Sequence, residues 1–338
     1  AYLIAQMQKI GLEPGGVNGS WTQAVPMMRS EVESPVTMTF STPETVLTLN
    51  QGVSVSVDTA TALTNISAAD VPVVFVGFGA NAPEQDWDDY GDIDLADKLV
   101  IYLVNDPDFA AQPDEPVAGR FGNRRMTYYG RWAYKFEEAA RRGAFGALVI
   151  HETEAAGYDW SVAAAGAGEN VSLANKDPKA LPVKLQGWLH NDAAHKLLAT
   201  AGHDLDALRE KARQPEFQAF ELEGIRFNAD LEVDITTFDS QNVLGLIPGS
   251  ARPEEVIMAS AHWDAYGIGA PDEQGRTVRA GANDDALGSA GILEIARVIK
   301  AAPALERSVL LAFWTAEEAG LVGSMAYAAD PIFPIEKT

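Results

Sequence analysis

The last hundred residues alternate between short, mainly apolar runs and one amphipathic helical pattern. Val256 to Ala261 and Val309 to Phe313 read as buried strands, and Ala286 to Ala301 between them places apolar residues on one helix face. Continuous apolar strands joined through a helix are typical of a parallel sheet covered on both faces. The pattern therefore predicts an α/β fold with a mostly parallel sheet flanked by helices.

Groups of polar residues stand at the ends of these predicted elements. His262 and Asp264 follow the first strand, Asn283-Asp284-Asp285 precede the helix, and Glu317-Glu318 follow the second strand. Ligands bind at the carboxyl ends of strands in such sheets, where His262 and the two glutamates are expected to lie. Imidazole nitrogens and carboxylate oxygens hold divalent metal ions. The order of these groups therefore indicates a metal-dependent hydrolase.

Each group also has a structural explanation that needs no metal. A lone histidine at a strand end is usually a hydrogen-bonded core residue, although Asp264 is placed to orient its ring. Asp and Asn are favoured helix caps, which explains one residue of 283–285. In a metal site another carboxylate of this run could bridge two ions, with Asp285 or Asn283 left as the cap. Adjacent glutamates suit a helix N-terminus, but in a metal site one would be a ligand and the other a proton acceptor. Together, on successive strand ends, the groups favour the metal site.

The composition argues against several other classes of function. The net charge of -23, from 48 acidic and 25 basic residues, disfavours nucleic acids and anionic membranes as partners. No apolar run approaches the roughly 18 residues of a membrane span, and without cysteine there is no thiolate ligand or nucleophile. One basic cluster is interleaved with aromatic residues that could stack bases, but a solvated helix face with local ion pairs is favoured. The cluster consists of Arg120, Arg124, Arg125, Arg131, Arg141 and Arg142, with Tyr128, Tyr129 and Trp132.

The motifs of other enzyme classes are incomplete. No Gly-x-Ser-x-Gly is followed by a histidine, because His262 is the last histidine, and this disfavours a serine hydrolase. Gly77-Phe78-Gly79 lacks the third glycine of the dinucleotide-binding fingerprint, and no phosphate-loop Gly-Lys-Ser/Thr motif occurs. A metal site is thus the best-supported chemistry.

The polar groups and their neighbours resemble the M28 family of zinc aminopeptidases. The matching motifs are Asn242-Val243, Pro248-Gly249, Ala261-His262-Trp263-Asp264, Gly281-Ala282-Asn283-Asp284-Asp285 and the run from Thr315 to Ser324. The resemblance implies two zinc ions (Zn2+), with His262 on one, Glu318 on the other and Asp284 bridging both. It also implies that Glu317 is the general base and that Asp264 supports His262.

Residues 69 to 200 resemble the protease-associated (PA) domain that some members of this family carry as an insertion. Asp88-Asp89-Tyr90, Asn105-Asp106-Pro107 and the run from Tyr128 to Ala144 carry this resemblance. A chain of 338 residues is long enough for two hydrophobic cores. We therefore expect a smaller PA-like α/β domain inserted into an M28-like peptidase domain. The expected ranges are 1–60 and 225–338 for the peptidase domain and 61–224 for the insertion.

The family pattern further requires an Asp on a later strand and a His nearer the C-terminus, one for each zinc. This sequence ends at Thr338, before either motif. Each zinc would keep two protein ligands, fewer than the three of most catalytic sites. The other histidines, His151, His190, His195 and His203, are not expected to substitute. The expectation is that the natural polypeptide continues and that this chain alone is inactive.

The leading hypothesis is a metallo-aminopeptidase that hydrolyses N-terminal residues from peptide substrates. Carboxypeptidase or cyclising activity within the same family is one alternative, and a non-catalytic receptor or binding protein that keeps the fold is another. The habit of the family implies an extracytoplasmic location, periplasmic or secreted. Substrate preference, oligomeric state and the role of the insertion are not readable from the sequence.

Overall fold

A computed structural model describes residues 1–33, 36–174, 182–268 and 275–338. The chain forms two compact units. Unit 1 comprises Ala1–Arg29, Val171–Asn175 and Thr237–Thr338, and unit 2 comprises Ser30–Asn170 and Lys176–Thr236. The expected domain ranges, 1–60 with 225–338 and 61–224, stay a prediction.

The strands of the described residues are β1 (Glu13–Pro14), β2 (Thr22–Val32), β3 (Thr37–Ser41), β4 (Val46–Leu49), β5 (Val55–Asp58), β6 (Asn65–Phe75), β7 (Asn81–Ala82), β8 (Trp87–Asp88), β9 (Leu99–Leu103), β10 (Gly146–His151), β11 (Glu169–Leu173), β12 (Leu185–His190), β13 (Phe220–Ile247), β14 (Arg252–His262), β15 (Gly267–Ile268), β16 (Val278–Arg279) and β17 (Arg307–Trp314). The α-helices are α1 (Tyr2–Ile10), α2 (Trp132–Arg141), α3 (Thr153–Ala156), α4 (Trp160–Ala165), α5 (Asn191–Thr200), α6 (Leu205–Ala212), α7 (Leu287–Ala301) and α8 (Val322–Ala329). No helix in the described ranges combines the length and apolar content that a membrane crossing requires.

Unit 1 contains a mixed sheet in the order β1, β13, β17, β14. β17 pairs antiparallel with the last residues of β13 and parallel with β14, to which it is joined through α7. The predicted α/β class is confirmed, but this sheet is mixed and not mostly parallel, because β13 runs against β17. The parallel pair of β14 and β17 is the part that matches the expectation.

The apolar run of β17 is explained by burial on both of its faces. Leu311 and Phe313 pack with Ile292 and Ala296 of α7, whereas the intervening residues of the strand pack with Tyr327 of α8. Successive side chains of a strand point to opposite faces, so a strand between two helical layers needs apolar residues at every position. The predicted flanking by helices is thus observed on both sides of this strand.

Unit 2 is built around parallel strands β6, β9, β10 and β12, with β5 antiparallel to β12. β3 pairs with β13 at residues 226–230, and β4 pairs with β3. These pairings place residues 37–58 in unit 2, although the sequence assigned them to the peptidase domain. Unit 2 is longer than unit 1. The expectation of a smaller, PA-like inserted domain stays a prediction.

Two helices of unit 2, α5 and α6, are separated by a short turn. Gly202 between them has φ of +79°, a left-handed conformation that glycine adopts without strain. Asp204 then caps α6, because its Oδ1 accepts a hydrogen bond from the amide of Ala207 at 2.8 Å.

Three members of the arginine cluster in unit 2 form ion pairs. Arg124 lies 2.6 Å from Glu154, and both Arg141 and Arg142 lie 2.7 Å from Glu138. This is the arrangement favoured from the sequence, a helix face with local ion pairs. The alternative of a base-stacking surface receives no support from these contacts.

A buried histidine lies at the carboxyl end of β10. His151 is 3% exposed, and its ring centroid lies 5.7 Å from Tyr158, 5.5 Å from Trp160 and 5.5 Å from Trp188. Burial lowers the pKa of His151, and the neighbouring His190 lowers it further. The neutral ring is therefore the form that the fold accommodates.

We predict that His151 makes unit 2 less stable in acid. The unfolded chain takes up this proton at a pKa of about 6.5, whereas the folded protein takes it up only at lower pH. The free energy of unfolding should therefore fall below pH of about 6.5, by at most about 1.4 kcal/mol per pH unit from this residue. His151→Phe, which keeps an aromatic ring, should remove this component in denaturant titrations between pH 5 and 8. The surface substitution His195→Gln is the control, and identical pH profiles for His151→Phe and the wild type would refute the prediction.

Candidate metal centre

Three of the residues predicted to bind metal converge at one edge of the unit 1 sheet. The register pairs His262, the last residue of β14, with Trp314, the last residue of β17. One potential ligand atom each from His262, Asp284 and Glu318 lie within 4.8 Å of one another. An imidazole nitrogen with two carboxylate oxygens is a donor set that suits zinc. The structure thus brings together the ligands expected from the sequence.

The His262 imidazole is oriented by contacts at both ring nitrogens. Its Nδ1 lies 3.2 Å from the backbone carbonyl oxygen of Asp264, which can accept a hydrogen bond from it. Its Nε2 lies 2.9 Å from Asp284 Oδ1 and 3.6 Å from Glu317 Oε2. A proton on Nδ1 leaves the Nε2 lone pair directed at the carboxylate group, as a metal ligand requires.

The electrostatics of this centre are dominated by carboxylates. Burial lowers the pKa of His262, but the hydrogen bond with Asp284 and the charge of Glu317 are among the contributions that outweigh it, so the pKa is raised. Burial raises the pKa of Glu318, and the charges of Asp284 and Glu317 raise it further. Excess negative charge held close together is stabilised by a cation.

Asp264 fixes the segment that carries both glutamates. Its Oδ1 accepts a hydrogen bond from the amide of Glu317 at 3.1 Å, and its Oδ2 accepts one from the amide of Glu318 at 3.2 Å. The sequence suggested support of His262, yet the Asp264 carboxylate lies 3.6 Å from Nδ1 and the closer atom is its carbonyl oxygen. Asp264 therefore positions Glu317 and Glu318 through its carboxylate and His262 through its backbone carbonyl oxygen.

Asp285 has a structural task beside Asp284. Its Oδ2 accepts a hydrogen bond from the amide of His262 at 3.1 Å, and its Oδ1 accepts one from the amide of Gly288 at 3.0 Å in the first turn of α7. A Cβ atom at Gly288 would lie 2.1 Å from that Oδ1, so the contact requires glycine. This agrees with the expectation that Asp285 or Asn283 would cap the helix while another carboxylate faces the site.

A buried amide network holds both ends of the glutamate segment. Asn242, which is fully buried in β13, donates from Nδ2 to Gln23 Oε1 at 3.0 Å and to the carbonyl of Gly323 at 2.8 Å. Its Oδ1 accepts a hydrogen bond from the amide of Thr315 at 3.2 Å. Thr315 and Gly323 bracket Glu317 and Glu318, so one side chain anchors the segment before and after them. The sequence singled out Asn242 only as part of a motif, without this role.

We predict that Asn242→Ala destabilises unit 1 and loosens the glutamate segment. The substitution leaves a buried amide and carbonyl without partners, so unfolding free energy should fall by about 2 to 4 kcal/mol. Denaturant titration measures the loss, and hydrogen exchange at the Thr315 amide measures the loosening. Gln241→Ala, at the exposed neighbouring position, is the control. Equal stability of the two variants would contradict the assigned role.

Part of this chain is similar to known peptidases. Residues 242–338 match the family model described as Peptidase family M28. Aminopeptidase NAALADL1 of Rattus norvegicus is 32% identical over 122 residues, which are 33% of this chain and 15% of that protein. Carboxypeptidase Q of Homo sapiens is 33% identical over 108 residues, which are 31% of this chain and 21% of that protein. The aligned region thus spans about a fifth or less of these relatives.

A solved structure, the aminopeptidase from Aneurinibacillus sp. strain AM-1, is 19% identical, with a TM-score of 0.44, over 97% of this chain and 59% of that one. The segment matched by the family model contains every residue of the metal centre described above, from Asn242 to Glu318. Residues 242–338, the part of this chain that carries the candidate centre, are thus similar to peptidase family M28.

Proposed function

We propose that this chain belongs to a zinc-dependent aminopeptidase in which His262, Asp284 and Glu318 bind metal and Glu317 is the general base. The observation that carries the proposal is the convergence of three potential ligand atoms within 4.8 Å, with a fourth carboxylate beside them. Peptide substrates follow from the family of residues 242–338.

The chemistry of the donor set fits zinc. Magnesium and calcium favour sites made of oxygen atoms alone, whereas an imidazole with carboxylates is common for zinc. His262 is held with Nε2 toward the carboxylates, and the pKa of Glu318 is raised by burial and by like charges, which a cation would relieve. When bound, zinc supplies a Lewis acid that polarises the scissile carbonyl and lowers the pKa of water.

Glu317 is placed to move the proton of the hydrolytic reaction. Its carboxylate is one-third exposed and its Oε2 lies 3.6 Å from His262 Nε2, so solvent can reach it beside the proposed ligands. In the proposed reaction Glu317 accepts a proton from the attacking water and delivers it to the departing amine. Asp264 holds the Glu317 backbone, which restricts where this carboxylate can move.

Glu317 and Glu318 have different partners despite being adjacent. The hydroxyl of Tyr266 hydrogen-bonds the carboxylate of Glu318, and burial raises the pKa of that tyrosine. A donor of this kind orients a metal-binding carboxylate and leaves its other oxygen available to the ion. This difference supports Glu318 as ligand and Glu317 as base.

The number of ions is part of the proposal. The Asp284 side chain is 74% exposed, so its second oxygen is accessible and the carboxylate could bridge two zinc ions. The family resemblance implies one further Asp and one further His among the ligands of the two ions. An extracytoplasmic location likewise stays a prediction.

An exopeptidase removes a residue from either the amino or the carboxyl end of a peptide. The relatives named above include one aminopeptidase and one carboxypeptidase, and we propose the aminopeptidase because it is the activity implied by the sequence motifs. A non-catalytic binding protein is disfavoured, since the proposed ligands and the proposed base are all present around one point.

Zinc binding by the cluster is directly measurable. We expect His262→Ala, Asp284→Asn and Glu318→Gln each to weaken zinc affinity of the 338-residue chain by roughly tenfold or more in chelator competition, because each removes a donor atom. Glu254→Gln, an exposed carboxylate elsewhere in unit 1, should leave affinity unchanged. Two tightly held zinc ions on this chain would contradict the need for further ligands, and unaltered affinity in the three variants would exclude the site.

The role of Glu317 is separable from metal binding. In the complete, zinc-loaded protein, Glu317→Gln should lower kcat for an aminoacyl anilide by roughly 100-fold or more, because the amide cannot accept the proton. Zinc content, measured by elemental analysis, should remain that of the wild type. Loss of zinc would instead make Glu317 a ligand, and retained activity would refute its assignment as base.

A further inference from the structure

An open cleft of about 580 Å³ lies in unit 1 beside the metal centre. Its floor is formed by the neighbouring strands β2 and β13, and its wall by Trp263. In β2, Thr22, Ala24 and Pro26 line the cleft, whereas the alternate side chains of that strand are buried beneath. The alternation of a strand therefore gives the cleft a solvent-facing floor.

Trp263 presents a fixed aromatic surface in this cleft. Trp263 directly follows the buried His262 in the chain, but 44% of Trp263 is exposed. The indole Nε1 donates a hydrogen bond to the carbonyl of Gln241 at 3.1 Å, and the Trp263 amide donates one to the carbonyl of Trp314 at 3.0 Å. An exposed indole anchored at its ring nitrogen and its backbone is oriented in advance of any ligand, which reduces the entropy lost on binding.

A carboxylate without a counter-ion lies on the floor of the same cleft. Asp239 is exposed and stands two residues before Gln241 in β13, so the two side chains share one face of the strand. Among the residues that the structure describes, Asp239 has no ion pair, and no lysine or arginine lines the cleft. The cleft thus combines a negative charge with an aromatic face.

The cleft is tied to the proposed catalytic segment. Ser240, which also lines it, is hydrogen-bonded through Oγ to Thr315 Oγ1 at 2.6 Å. Thr315 begins the segment that leads to Glu317. The floor of the cleft is therefore hydrogen-bonded to the segment that carries the proposed general base.

We propose that this cleft binds the cationic side chain of a peptide, that of lysine or arginine. A cation is attracted both to the face of an indole and to a carboxylate, and Asp239 disfavours an acidic side chain at the same place. An apolar side chain would contact Trp263 but would leave Asp239 unpaired. That the bound peptide is a substrate rests on the function proposed above; the binding itself does not.

Binding is tested without metal or turnover, using two probes that differ in one charge. N-acetyl-lysine methylamide and N-acetyl-norleucine methylamide are titrated into the protein, and the shift of the Trp263 indole N–H resonance, assigned with Trp263→Phe, is followed. The lysine probe should bind at least fivefold more tightly. Asp239→Asn should abolish this difference, whereas Glu336→Gln, which removes the same charge outside the cleft, should preserve it. Equal binding of the two probes to the wild type, or equal effects of the two substitutions, would overturn the proposal.

Turnover by the complete, zinc-loaded protein tests whether the bound side chain belongs to a substrate. Peptides that differ only by lysine or norleucine at one position should differ at least fivefold in kcat/KM at one of the positions scanned. Asp239→Asn should reduce that ratio by raising KM for the lysine peptide, with kcat retained. Hydrolysis of both series at equal rates would reject the substrate assignment, whereas hydrolysis of neither, with the binding difference intact, would reject the proposed function alone.

Discussion

The parallel pairing of β14 with β17 determines where every residue of the centre lies. The register from Val256 with Ser308 to His262 with Trp314 makes both strands end at one edge. A parallel pair must be joined by a crossover, here α7, and the crossover begins at the same edge from which β14 leaves. Asp284 at the start of α7 is therefore brought beside His262. The glutamates after β17 follow from the same register, so one strand pair assembles all the proposed ligands.

Hydrogen-bond partners separate the acidic residues of the centre into two groups. The carboxylates of Asp264 and Asp285 each accept two backbone N–H bonds, which satisfy their charge within the fold and occupy both oxygens. Within the described ranges, Asp284, Glu317 and Glu318 have no such pair of amide donors, and they lie around the imidazole of His262. The carboxylates of Asp264 and Asp285 hold the backbone of the centre in place. The other three carboxylates are left available to a cation or a proton. Residue type alone does not distinguish these groups.

Much of this centre was predictable because its signals are local. His262, Asp284 and the two glutamates each stand at the end of an apolar pattern, and the helix and strands around them were recognised within a few residues. Asn242 was not recognised as an anchor, since its partner Gln23 is 219 positions away and no local pattern encodes that contact. The same limit applies to residues 37–58. Their pairing with β13 and β12 decides the unit to which they belong, and no local pattern encodes that pairing.

Consecutive residues at the end of β14 serve the two faces of the site. Side chains alternate along a strand, so His262 is directed into the carboxylate cluster while Trp263 is directed to the cleft. On β13, the Ser240 hydroxyl hydrogen-bonds the Thr315 hydroxyl, and Asn242 Oδ1 accepts a hydrogen bond from the Thr315 backbone amide. The floor of the cleft and the glutamate segment therefore share the same anchors. Because Thr315 is held by both residues, a side chain that binds in the proposed cleft would do so beside a segment that is already fixed, so this binding need not distort the proposed metal ligands.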